Sequence, residues 1–244
     1  MNKKKAFTLV EVIIALIIFS LLLAGVYKLF IGGSKTAGKG QWINTAVDQM
    51  RNALSYLSNE IRSATYPTTM FKDTIYDPCD NPDKSVAGKY FLRILAEGKP
   101  ITVPSSGREK IMDWCVCTTE KPGTSKGKFV NHQLYTVYTQ SVGSTNIGDL
   151  VLKTETFEYT TDPNSNYAKS GKINLTPIKS ETREKILVND IESVEFSTAK
   201  KITEENSLDF FPISVKIRTL YPKDLKVFKE NSIMATPQVA IGLL

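Results

Sequence analysis

Four groups of residues have types and spacings that could do chemistry. The first is one carboxylate, Glu11, at the head of an apolar run from Val12 to Tyr27 that carries no charge. Placing an acid near a bilayer centre costs about 3 kcal/mol on insertion scales. A buried ion pair adds little net stability, yet an unpaired charge there is strongly disfavoured. Glu11 therefore calls for a cation, and the pairing would set register more than strength. The second group is Cys79, Cys115 and Cys117 with the only histidine, His132. Their chemistry is a disulfide or a zinc site. The third is Asp77, Asp80, Asn81 and Asp83, oxygen ligands of the kind that hold calcium. The fourth is Lys216, Arg218, Lys223, Lys226 and Lys229, interleaved with Tyr221 and Phe228, a pattern that suits phosphate contacts and base stacking.

The elements that must position these groups begin with a membrane segment. Phe7 to Ile31 exceeds the span of about 20 residues that crosses a hydrocarbon core of about 30 Å. Lys28 near its far end can snorkel to the headgroups. Lys3, Lys4 and Lys5 precede it, so the N-terminus stays cytoplasmic and the rest lies across the membrane. The run is longer than the apolar region of a secretory signal, and no small-x-small cleavage site follows it. Gly32, Gly33, Gly38 and Gly40 then predict a frayed or bent break. A second helix follows, with Ile43, Val47, Met50, Leu54, Leu57, Ile61 and Ala64 on one stripe, closed by Pro67.

Tyr66 to Gly88 is rich in Pro, Asp, Asn and Thr and reads as loop. Strands are expected at 90–95, 110–118, 128–140, 150–160, 186–197 and 213–220, with a short one at 238–244. Ile213, Val215 and Ile217 alternate with Ser214, Lys216 and Arg218, as in a half-buried strand. The expected organisation is a leader at 1–6, a transmembrane helix at 7–31, an amphipathic helix at 32–65 and a β-rich domain at 66–244. The fold class is α+β, a long N-terminal helix on a mainly antiparallel sheet.

Composition narrows the chemistry. The formal charge of +6 falls to +3 when Lys3, Lys4 and Lys5 are removed with the leader, too weak a bias to demand nucleic acid. Beyond the membrane the compartment is oxidising, so Cys79 can join either Cys115 or Cys117, and spacing does not choose. Cys-x-Cys is tighter than the spacing of about two to four intervening residues in structural zinc pairs. The acidic loop lacks EF-hand spacing, and Asp-Pro and Asn-Pro are ordinary turn chemistry, so no cofactor is expected and calcium is the weaker reading. No nucleophile motif, phosphate loop or second histidine is present, and the chain reads as a non-enzyme.

Lys4-Lys5-Ala6 followed by Phe7-Thr8-Leu9-Val10-Glu11-Val12-Ile13 resembles the class III signal of type IV pilins and type II secretion pseudopilins. The resemblance implies cutting by prepilin peptidase between Ala6 and Phe7, where the family usually has Gly in place of Ala6. It also implies N-methylation of Phe7 and a role for Glu11, fifth in the mature chain, in bringing subunits into the fibre. The apolar helix would anchor the subunit among inner-membrane lipids and afterwards form the filament core. The partners implied are other pilin or pseudopilin subunits, the peptidase and the inner-membrane assembly platform. The segments 183–196 and 211–217 resemble strands of pseudopilin J and W-type minor pilins, which implies a minor subunit that starts or caps a filament. The alternative is a minor pilin that captures DNA or a surface through the basic cluster. For that cluster the plainer reading is a solvated sheet edge, where lysine discourages pairing.

Overall fold

The computed structural model describes residues 9–63, 65–66, 69–71, 90–94, 99–119, 126–160, 176–198, 212–236 and 238–239. Helix α1 runs from Leu9 to Ser63. Strands follow in chain order: β1 (Thr65–Tyr66), β2 (Thr69–Phe71), β3 (Tyr90–Ile94), β4 (Ile101–Thr102), β5 (Arg108–Thr119), β6 (Lys126–Val142), β7 (Thr145–Thr160), β8 (Thr176–Thr198), β9 (Ile213–Leu220), β10 (Phe228–Ala235) and β11 (Gln238–Val239). The chain divides into two units, Met1–Thr45 and Ala46–Leu244.

In the first unit α1 is a continuous helix. Glu11 lies in its first turn, on the favourable side of the helix dipole. Helix α1 passes through Gly32, Gly33, Gly38 and Gly40, the stretch where a frayed or bent helix is expected. A glycine costs a helix about 1 kcal/mol relative to alanine. It still donates its N–H to the helical ladder, and only proline removes that donor.

In the second unit the end of α1 packs on the sheet. Ala46, Met50, Ala53, Leu54, Leu57, Ser58 and Ile61 are buried. Of these, Met50, Ala53, Leu54, Leu57 and Ile61 share one core with Met112 and Trp114 of β5, Leu134 of β6, Leu152 of β7, Val194 and Phe196 of β8, and Val215 and Ile217 of β9. Burying a side chain such as Leu57 contributes about 1.5–3 kcal/mol. Among the described residues the main sheet has the order β10-β9-β8-β7-β6-β5-β3-β2, with β4 paired to β8 beside β7. Neighbours are antiparallel except β2 with β3. A separate parallel pair joins β11 to β1. This is the α+β, type IV pilin-like architecture.

Two backbone features shape the sheet. In β8, Thr176 to Ile191 pair with β7 and Ile191 to Thr198 pair with β9. Just before the changeover at Ile191, Asp190 has a φ of 54°, a left-handed bend in a non-glycine residue. The Asn189 N–H beside it donates to Gln49 Oε1 of α1 at 3.1 Å. In β7, Gly148 lies against β6 so closely that a Cβ would collide with the Val137 carbonyl oxygen and stand 2.8 Å from Val103 Cγ1. Only glycine fits there.

Several expectations change. β2 and the second residue of β1 lie in the stretch read as loop, since strands of two or three residues are too short to show a period. β8 begins ten residues before the expected 186, because its first ten residues are mostly polar and show no apolar alternation. β10 was not expected at all, for it pairs only with β9 and carries no apolar alternation on its outer face.

Candidate functional site

The first unit holds the most unusual surface. From Leu9 to Phe30 the large apolar side chains are exposed, with Leu9 at 77% and Leu22 at 63%. This is the one described helix long and apolar enough to cross a membrane. Glu11 sits among these side chains in the first turn. Such a helix also holds hydroxyls that hydrocarbon would leave without water. The Ser20 hydroxyl donates to the Leu16 carbonyl at 2.7 Å, and the Thr36 hydroxyl donates to the Gly32 carbonyl at 3.0 Å. Both bonds close within the helix, as polar groups facing lipid require. Ala6 and Phe7 lie outside the described residues.

The N-terminal residues decide what this helix is for. Residues 1–27 match the family model of the prokaryotic N-terminal methylation motif. The motif is the class III signal of type IV pilins, and it implies processing by prepilin peptidase and assembly with other pilin subunits. With the apolar helix it fits an inner-membrane-anchored pilin. No curated protein and no solved structure matches the chain.

The remaining candidates separate. Cys115 is fully buried in β5 with no disulfide among the described residues. Cys115 lies opposite Asn131, whereas its neighbour Trp114 lies opposite His132. Adjacent residues of a strand face opposite ways, so Cys115 and His132 are on different faces of the sheet and cannot share a zinc ion. Cys79 and the acidic loop at 77–83 lie outside the described residues, and Cys117 is placed only as part of β5. Among the described residues no group of three His, Cys, Asp or Glu side chains could hold a metal.

The basic cluster is largely neutralised where it meets the sheet. Arg218 Nε stands 2.7 Å from Glu192, and its guanidinium lies 4.3 Å from the centre of the Phe228 ring. Lys216 Nζ is 3.2 Å from Glu230 and 3.9 Å from Glu195. The sequence showed the cations but not these glutamates, since cross-strand pairing brings them in from β8 and β10.

His132 takes a structural place in the fold. It is half-buried beneath α1, its ring stacked on Trp114 with centres 5.1 Å apart and planes at 16°. Its Nδ1 lies 3.0 Å from the Thr154 hydroxyl of β7. Burial pushes its pKa below the usual imidazole value, and the nearby Glu60 carboxylate opposes that only in part. Sequence spacing gave no sign of this, because Tyr56, Trp114, His132 and Thr154 come from four elements.

Proposed function

We propose that this chain is a minor pilin or pseudopilin, a structural subunit that initiates or caps a type IV pilus or a type II secretion pseudopilus. The observation that carries this reading is the methylation motif at residues 1–27 on a helix whose apolar side chains are exposed through the membrane-length stretch. Exposed apolar area of that extent needs a cover, and lipid before assembly and sister helices after it supply one. In this reading prepilin peptidase cuts between Ala6 and Phe7 from the cytoplasmic side, and Phe7 is then methylated. The new amine of one subunit meets Glu11 of a neighbour, which fixes the axial step between them. Contacts of this head-to-tail kind do not close on themselves, and they propagate as a helix. The 183–196 and 211–217 segments favour a minor subunit over a major one. Capture of DNA is less well supported, since Lys216 and Arg218 are held by glutamates.

Two measurements test the proposal. Mass spectrometry of the chain from its native host should begin at Phe7 with one added methyl group. A chain still carrying residues 1–6 would make it a tethered factor that never polymerises. Glu11→Ala should insert in the membrane at normal levels yet be recovered in sheared filaments at a tenth of the wild-type amount or less. Wild-type recovery would remove Glu11 from assembly.

A further inference from the structure

We propose that His132 makes the seam between the end of α1 and the sheet an acid-operated catch, closed while the imidazole is neutral and opened when the ring takes up a proton. Such a catch is independent of the filament role. It rests on a line of contacts across four elements. From α1, Tyr56 tilts against Trp114 of β5 with ring centres 6.3 Å apart and planes at 55°. Trp114 in turn lies flat against His132 of β6, and His132 reaches Thr154 of β7 through Nδ1 at 3.0 Å. The three strand residues form one cross-strand row, Trp114 opposite His132 and His132 opposite Thr154. Trp114 is fully buried, so this row forms the floor on which the last turns of α1 rest.

A neutral imidazole suits such a floor. One ring nitrogen meets the hydroxyl, and the ring face covers indole. An added proton turns both ring nitrogens into donors and places a charge in a poorly solvated seam. Attraction of the imidazolium to the Trp114 face offsets only part of the lost hydration. The groups that face the ring are few. From α1 they are Tyr56 and the Glu60 carboxylate. On β5 and β7 the neighbours in the row are Trp114 and Thr154, neither titratable in this range. One strand further, Arg183 of β8 is opposite Thr154 and is held by Glu181 at 2.7 Å. Asp113, Lys153 and Glu155 alternate onto the other face. Glu60 draws the proton in, burial resists it more strongly, and the ring is therefore neutral in the closed seam at neutral pH. The sign follows: the stability of the closed seam is complete above about pH 6.5, the unfolded-state value for histidine, and is lost as pH falls below it.

One chain holds one histidine and two tryptophans, which makes the test clean. The full chain in detergent micelles carries Trp42→Phe so that emission reports Trp114 alone, and amide exchange of 56–63 is followed by mass spectrometry. Lowering the pH from 7.5 to 4.5 should shift the emission to longer wavelength in a one-proton transition with a midpoint below 6.5, with at least tenfold faster exchange of 56–63. His132→Gln keeps a hydrogen-bonding group and cannot titrate, so it should abolish the transition. The same transition in that variant would overturn the proposal, as would a wild-type chain with none. Should His132→Gln fail to fold, Glu60→Gln serves. Loss of that carboxylate should lower the midpoint, and a midpoint unmoved or raised would show that the titrating group is not His132 in this seam.

Discussion

The two ends of α1 are built from the same residue types and meet opposite fates. Between Leu9 and Phe30 the leucines, isoleucines and valines stand exposed, whereas from Ala46 to Ile61 the apolar stripe is buried by the chain's own sheet. The difference lies in arrangement. The first stretch is apolar all round, which no single sheet face can cover and only lipid or other helices can. The second confines its apolar residues to one side and leaves Asp48, Arg51, Asn52, Ser55 and Asn59 in solvent. Stability of the second unit is thus internal to the chain, while the first borrows its surroundings.

Charge substitution should separate the two ends most sharply. Leu54, 2% exposed, changed to Asp places an unpaired charge in the core and should cost the second unit about 4 kcal/mol or more, seen as loss of its cooperative melt. Leu22→Asp should leave that melt unchanged and instead reduce membrane insertion, at about 3 kcal/mol. Equal effects on the melt would mean that the ends are not distinct. Glycines give the next contrast. Gly148→Ala forces a methyl group into the Val137 carbonyl and should destabilise by about 3 kcal/mol in chemical denaturation. Gly33→Ala meets nothing within 4 Å and should strengthen the helix by about 1 kcal/mol, read as increased helicity of the isolated segment in micelles.

The smallest effect expected is at Asp149. Burial, and then the charge of Asp190, push its carboxyl pKa up, while a hydrogen bond with the Asp190 backbone works the other way. A raised carboxyl favours the neutral acid in the fold, so the penalty is absent below the unfolded pKa of about 3.9 and grows as pH rises through the folded value. Asp149→Asn should therefore raise the melting temperature at pH 7 and leave it unchanged at pH 3. A gain of equal size at both would locate the effect in packing.

The sequence was most readable where one element met one environment. Met50, Leu54, Leu57 and Ile61 could be placed on the buried stripe from spacing alone, and Ile213 to Leu220 from alternation. Ala46, Ala53 and Ser58 were missed, since small residues add little to an apolar count although they let the helix lie close to the sheet. β10 and the first half of β8 were illegible for a different reason. Phe228 to Ala235 and Thr176 to Lys185 show no apolar alternation in sequence, and pairing with β9 and β7 is what marks them as strands. The membrane-length part of α1 is legible from its apolar length and flanking charge. The row from Trp114 to Thr154 is not, because its members lie far apart in sequence and meet only through register.

The bent strand β8 has a thermal consequence. Its 23 residues serve β7 up to Ile191 and β9 from Ile191 onward, so the two arrays share one covalent spine with no seam at which the sheet can part. Heat that frees β10 and β9 strips partners from β8, and a loosened β8 withdraws support from β7 in turn. The sheet should therefore melt in a single step, with one calorimetric peak in place of two.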